Sequence, residues 1–166
     1  MLPYIGSHSQ GGAVPVSIND DSTLARAQGW RTLAALHARI EDALERALQR
    51  AHGLSVSEYG VLDTLSQEGG YCLRMNQLSR AVVLSQSATT RLVSRLERRG
   101  LLERYICDDD RRGIYTQVTA EGRTVLEQAR PTYDDSLAKA LREAQELPEL
   151  SPLVDTLTGL PLQTSR

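Results

Sequence analysis

The side chains best suited to recognising a charged polymer lie between Ser85 and Arg99. At 100° per residue, a helix over this stretch turns Ala88, Thr89, Leu92, Val93 and Leu96 to one face and Ser87, Thr90, Arg91, Ser94 and Arg98 to the other. Four arginines stand against the single acid Glu97. A solvated helix ordinarily mixes acids and bases at i,i+4 spacing, so this imbalance calls for an anionic partner, and phosphate fits. Ser85 can cap the first turn, and Gly100 suits the left-handed residue that closes a helix.

On such a helix the N-terminal half reaches base edges. Arg91 could bind guanine bidentately and Gln86 could pair with adenine, each worth about 1–3 kcal/mol of discrimination. Arg95 and Arg98, further along, suit phosphates, which position a protein without specifying sequence. The candidate contacts on the helix are Ser85, Gln86, Ser87, Thr89, Thr90, Arg91, Arg95 and Arg98. A second cluster, Asp108-Asp109-Asp110-Arg111-Arg112, would repel DNA through its acids unless they orient the arginines. Asp110 can hold the guanidinium of Arg112 by charge-assisted bonds and aim it at a narrow minor groove; Arg111 could serve instead.

The net charge of −2 hides a split. Residues 74–112 hold nine arginines and five acids, net +4, leaving −6 on the remainder. Local potential rather than the total governs association with nucleic acid. With no Phe, one Trp and six Tyr, the core must be built from Leu, Val, Ile and Ala, which favours packed helices. Cys72 and Cys107 are too few for a disulfide framework and share no zinc-ligand spacing with His8, His37 and His52, so a reducing compartment and no metal are expected. Apolar runs are short and no signal peptide is evident, so a cytoplasmic protein with no membrane span is expected. No Gly-rich phosphate loop, nucleophile motif or metal cluster suggests an enzyme, a catalytic residue or a cofactor.

The positioning elements follow from periodicity. Residues 1–22 are rich in Gly, Ser and Pro and read as a flexible arm. Trp30, Leu33, His37, Ile40, Leu44, Leu48 and Ala51, widened by Leu36 and Ala47, make one long helix that ends at Gly53. Ser55 and Glu58 can form a capping box, flanked by Leu54 and Tyr59, for a helix running to about Gln67. Tyr71 to Leu73 suits a short strand, Met75 to Val82 a short helix, and Val83-Leu84 a tight connection into the basic helix. That arrangement is a helix-turn-helix. Residues 101–106 and 114–118 then alternate as strands around a charged tip at 107–113, forming a hairpin wing. Thr119 starts a further helix that Pro131 kinks or divides, with a second helical stripe from Leu137 to Leu147. Leu150, Leu153, Val154, Leu157 and Leu160 make the last apolar stripe.

This order of elements resembles the multiple antibiotic resistance regulator (MarR) family of winged helix-turn-helix transcription factors. The resemblance covers roughly Leu33 to Leu141 and is carried by Leu84 to Leu102 and by Asp110-Arg111-Arg112-Gly113-Ile114-Tyr115-Thr116-Gln117-Val118-Thr119-Ala120-Glu121-Gly122. Arg74 departs from the family's usual Ser or Thr cap, and Ser79 from its common alanine. The resemblance implies a mainly α (α+β) fold, with a winged helix-turn-helix at 54–119 and dimerisation helices at 23–53 and 120–162. It implies a homodimeric regulator, most simply a repressor, on a pseudo-palindromic double-stranded DNA operator. Recognition helix 85–99 would enter the major groove and wing 107–113 the minor groove, with Asp110 and Arg112 as the wing device.

Relatives commonly bind small aromatic effectors between the dimer helices and the DNA-reading lobe, and here Trp30, His37 and Tyr59 could line such a crevice. Gly60 stands where urate-responsive relatives carry an acid, which disfavours that effector. The rival within the same class is a redox-sensing regulator that uses Cys72 and Cys107.

Overall fold

The computed structural model describes residues 18–67, 72–107 and 110–160. Its elements are α1 (Ile18–His52), α2 (Val56–Gln67), β1 (Cys72–Arg74), α3 (Met75–Ala81), α4 (Gln86–Arg98), β2 (Leu102–Cys107), β3 (Asp110–Val118), α5 (Ala120–Gln145) and α6 (Ser151–Thr158). Among the described residues, no helix is long and apolar enough to cross a membrane.

α1 packs along α5 through Leu36, Leu44 and Leu48, which are buried, with Ile40 half-buried between them. The helix starts earlier than composition suggests: residues 18–22 are already helical, which shortens the expected arm of 1–22. Residues 1–17 lie outside the described residues. The buried stripe is also narrower than the periodicity implies, because Trp30 and Leu33 are exposed.

The α1–α2 corner forms as the capping box requires. The Ser55 N–H donates to Glu58 Oε2 at 3.0 Å, and the Glu58 N–H donates to Ser55 Oγ at 3.1 Å. Leu54 and Tyr59 on its flanks are buried.

One antiparallel sheet of order β1-β3-β2 carries the wing. Leu102 pairs with Val118 and Arg104 with Thr116, while Cys72 and Arg74 of β1 pair with Gln117 and Tyr115 on the other side of β3. The wing tip is shorter than the expected 107–113: β2 runs through Cys107 and β3 starts at Asp110, so 110–113 is strand. Extending the ladder satisfies backbone groups that a seven-residue tip would leave to water.

The closing of α4 and the opening of α5 interlock. The N–H groups of Gly100 and Leu101 bond to the carbonyls of Glu97 and Leu96, at 2.8 and 3.0 Å, with Gly100 at φ 73°. Thr119 Oγ1 donates to the Gly100 carbonyl at 2.7 Å and accepts from the Gly122 N–H at 3.0 Å. A Cβ on Gly122 would sit 2.1 Å from the Leu101 carbonyl oxygen, so only glycine allows this approach.

α5 is one continuous helix through Pro131 rather than two helices. Proline removes its own N–H and crowds the carbonyl four residues back, and neighbouring contacts hold both sides: Ala129 is buried, Thr132 bonds to His52, and Tyr133 stacks on Tyr59. The main core joins α2, α3, α4, the sheet and the first half of α5; a smaller one joins α1, the end of α5 and α6 through Leu36, Ala144, Leu150 and Val154.

Candidate nucleic-acid interface

Ser85 is the N-cap of α4, and its Oγ accepts from the Ala88 N–H at 3.2 Å. Leu92, Val93 and Leu96 anchor the inner face in the core. Ser85, Gln86, Ser87, Thr90, Arg91, Arg95 and Arg98 are all exposed on the other side.

Thr89 is the correction. It is fully buried and its Oγ1 donates to the Ser85 carbonyl at 3.1 Å, so it belongs to the core and cannot meet a base. The buried hydroxyl is tolerated because that bond satisfies its proton. Thr90 Oγ1 likewise donates to the Gln86 carbonyl, at 2.8 Å, but stays exposed. Its proton being used, Thr90 offers a ligand an acceptor and a methyl group.

The arginines of the helix divide into two sets. Arg91 and Arg98 have no ion-pair or hydrogen-bond partner among the described residues and point charge outward. Arg95 and Arg99 instead converge on Glu58 of α2, at 3.5 and 3.1 Å. Arg104 of β2 bonds to Ser94 at 2.7 Å and pairs with Glu97, tying the hairpin to the helix. The Glu97 pair holds the Arg104 pKa above its ordinary value.

Asp110, Arg111 and Arg112 fall on the backbone of β3, but the Asp110–Arg112 pairing lies outside the described side chains. The base of the wing has a feature that sequence reasoning missed. Arg74, Tyr115 and Tyr105 stand in one row across the three strands. The Arg74 guanidinium lies 5.5 Å from the Tyr115 ring centroid and Nε donates to the Tyr115 hydroxyl at 2.9 Å, while the two tyrosine rings stack at 5.7 Å. At the start of α3 the Arg74 N–H donates to the Gln77 side chain at 3.0 Å. Only the strand register, unknown from sequence, would have revealed the row.

The three residues considered for an effector crevice do not converge within one chain. Trp30 is exposed on α1, and His37 lines an apolar groove with Leu33, Ile40, Leu153 and Leu157, between α1 and α6. His37 lies 15 residues before His52, or about 22 Å along the helix axis at 1.5 Å per residue. Tyr59 belongs to the other end: it is buried and stacked on Tyr133 at 4.4 Å, one residue past the Thr132 that bonds His52. Burial, reinforced by Asp63, pushes the Tyr59 hydroxyl up to about 12, and the same two causes raise Tyr133. Both remain neutral donors at ordinary pH.

The cysteines are also apart. Cys72 registers with Gln117 and Cys107 with Asp110 on the same strand. Seven residues of strand is about 23 Å, whereas a disulfide needs Cα atoms within about 7 Å. No bond between them can form in one folded chain.

Residues 52–113 match the sequence model of the MarR family. The chain is 31% identical over 96 residues to the HTH-type transcriptional regulator PecS of Dickeya dadantii, covering 57% of each protein. It is 31% identical over 88 residues to the transcriptional repressor MprA of Escherichia coli, covering 53% of this chain and 50% of MprA. These matches thus span only about half the length of either relative. The similarity in three dimensions is broader: the crystal structure of Sco3205, a MarR family transcriptional regulator from Streptomyces coelicolor in complex with DNA, superposes with a TM-score of 0.66 at 26% identity, covering 93% of this chain and 96% of that one. A capped basic helix, an antiparallel wing and flanking long helices accompany these matches: residues 52–113 carry the sequence pattern of the MarR family, and the fold as a whole is similar to that of a MarR family regulator.

Proposed function

We propose that this protein is a sequence-specific, double-stranded-DNA-binding transcriptional regulator with no enzymatic activity, acting as a homodimer on a pseudo-palindromic operator. The observation that carries the reading is the divided α4: one face is locked into the core while the other presents Gln86, Ser87, Thr90, Arg91 and Arg98 to solvent. Helix 85–99 enters the major groove with Gln86 and Arg91 at base edges and Arg98 at phosphates. Wing 107–113 reaches the minor groove with Arg112, or Arg111, held by Asp110.

The dimer forms through 23–53 and 120–162. Exposed Leu24, Trp30, Leu33, Leu157 and Leu160 concentrate on α1 and in and just beyond α6, beside the apolar groove. Large apolar surface of this kind supports an interface. Repression is the simplest output, since a dimer seated over a promoter excludes polymerase. Release by a small aromatic effector belongs to the same reading, with Trp30, His37 and Tyr59 as its first candidates for mutation. In the redox alternative, Cys72 and Cys107 would be oxidised separately or bridge two subunits, since their separation along β3 excludes a disulfide within one chain.

The test is selection of bound duplexes in vitro. A two-fold-related site is expected, and Arg91→Ala should relax the preference at one base per half-site, worth about 1–3 kcal/mol. Failure to retain any duplex, or an unchanged motif with the variant, overturns the corresponding role.

A further inference from the structure

Glu58 is a carboxylate in an unusual place. Its side chain is only 4% exposed, yet it sits in the first turn of α2 beneath the recognition helix. Removing a carboxylate from water costs several kcal/mol unless charges and donors replace the solvent. Three groups do so: the Ser55 N–H at 3.0 Å, Arg99 Nη1 at 3.1 Å and Arg95 Nη1 at 3.5 Å. The first turn of a helix also favours negative charge. Arg95 lies in the last turn of α4 and Arg99 is its C-cap, one turn on, beside the buried Leu92 and Leu96.

We infer that Glu58 is the positioning residue of the recognition helix and that it withdraws Arg95 and Arg99 from the DNA-contacting set. This rests on the DNA-binding reading above and deepens it. Hydrophobic packing through Leu92, Val93 and Leu96 keeps the inner face of α4 in the core, and Arg104 holds Ser94 and Glu97 on the hairpin side; the contacts of Glu58 add a polar constraint from α2. The charge-assisted hydrogen bond from Arg99 to Glu58 is directional, and Arg95 at 3.5 Å adds an ion pair on the same carboxylate. Holding Arg95 and Arg99 sets the roll of the helix, and so the direction of Arg91, one turn before Arg95 on the same stripe. The same corner is tied to α1, where the Val56 N–H donates to Glu45 at 2.7 Å, so the roll of α4 is referred to the long helix.

The second consequence concerns affinity. An arginine paired with Glu58 must leave a buried acid undercompensated to reach a phosphate, whereas Arg91 and Arg98 give up only water. The phosphate contact of α4 therefore falls to Arg98, and Arg91 is left to base edges. Glu58 limits sequence-independent attraction and leaves base readout in charge of selectivity.

Fluorescence anisotropy of the full-length protein, with its selected duplex and a scrambled one, measures this as the salt dependence of binding. Each phosphate contact contributes about 0.9 to the slope of log K against log salt. Arg95→Ala should keep the wild-type slope. Glu58→Gln, whose amide oxygen can still accept from the Ser55 N–H, should release both arginines. Its slope should steepen by up to about 1.8, adding about tenfold to the affinity lost between 50 and 200 mM salt, and its preference for the selected duplex should drop. A merely structural role would lower affinity for both duplexes without steepening the slope. The inference is overturned if Arg95→Ala flattens the slope by about 0.9, since Arg95 then contacts a phosphate. It is equally overturned if folded Glu58→Gln keeps the wild-type slope and preference. Arg95→Ala alters an exposed side chain and decides the matter even if Glu58→Gln does not fold. A wild-type protein that binds no duplex sinks the DNA reading and this inference together; duplex binding with unshifted slopes sinks this inference alone.

Discussion

The winged-helix lobe and the helical lobe bury their apolar residues differently. In the first, Leu54, Val61, Leu62, Leu65, Leu78, Val93 and Leu96 are all sealed from solvent by the chain's own elements. In the second, Leu36, Leu150 and Val154 are buried, but Leu24, Trp30, Leu33, Leu157 and Leu160 stay open, and a groove of about 300 Å³ runs between α1 and α6. One lobe is complete as a single chain. The other has the composition of a core but only part of its walls, which is what half of an interface looks like. Substitutions should therefore act on folding in the first lobe and on association in the second.

The largest effect is expected at Gly122, where α5 crosses the end of α4. An added methyl would meet a backbone carbonyl rather than a flexible side chain, so relief requires moving the helix. Gly122→Ala should cost about 3 kcal/mol and lower Tm by about 10 °C, followed by circular dichroism. A variant that melts like wild type would mean that the α4–α5 junction is far softer than its hydrogen bonds imply.

Leu33→Glu probes the other lobe. Leu33 is 48% exposed on the groove, so the change should alter the stability of the single chain by about 0.5 kcal/mol or less. Sedimentation should instead show monomer, and affinity for a two-half-site duplex should fall by about a hundredfold as the linked second contact is lost. If the variant remains dimeric, the groove is not the interface and the contrast between the lobes has another cause.

The completed lobe was the more legible one, and the reason is physical. Caps and glycines act within a few residues, so Ser55, Glu58, Ser85, Gly100 and Thr119 could each be recognised from sequence and each makes the predicted bond. Periodicity also separated the inner from the outer face of α4. What escaped depends on contacts distant in the chain. Glu58 was readable as half of a capping box, but not as the partner of Arg99, 41 residues away. Pro131 looked like a break because its lost bond is local, while the Tyr59–Tyr133 stack beside it is not. Thr89 is a different case: its hydroxyl suits a DNA contact, but the helical period already puts it on the inner face with Leu92 and Val93, where it is buried. The side-chain pairing of Asp110 and Arg112 lies outside the described side chains.

The smallest effect is expected at Val83, and it sharpens the comparison from within the well-sealed lobe. Helices α3 and α4 end in the same motif. In α4 the left-handed residue is Gly100; in α3 it is Val83, at φ 53°, where the Val83 and Leu84 N–H groups bond to the carbonyls of Arg80 and Ser79 at 3.2 and 3.1 Å. A β-branched residue in that conformation costs about 1–2 kcal/mol, and the side chain recovers little of it by burial because it is 87% exposed. Val83→Gly removes the strain but adds about 0.5–1 kcal/mol of chain entropy in the unfolded state, so a net gain below about 1 kcal/mol and a Tm rise of about 2 °C are expected. The informative measurement is DNA affinity beside that melting curve. Val83 lies in the turn that leads into α4, so unchanged affinity in a stabilised Val83→Gly variant means that the turn's hydrogen bonds alone aim the recognition helix. A fall in affinity together with the gain in Tm means that the strained residue restricts the turn to the conformation that reads DNA. Loss of stability would show that the left-handed valine is not strained, and that the two helix ends differ in sequence without differing in energy.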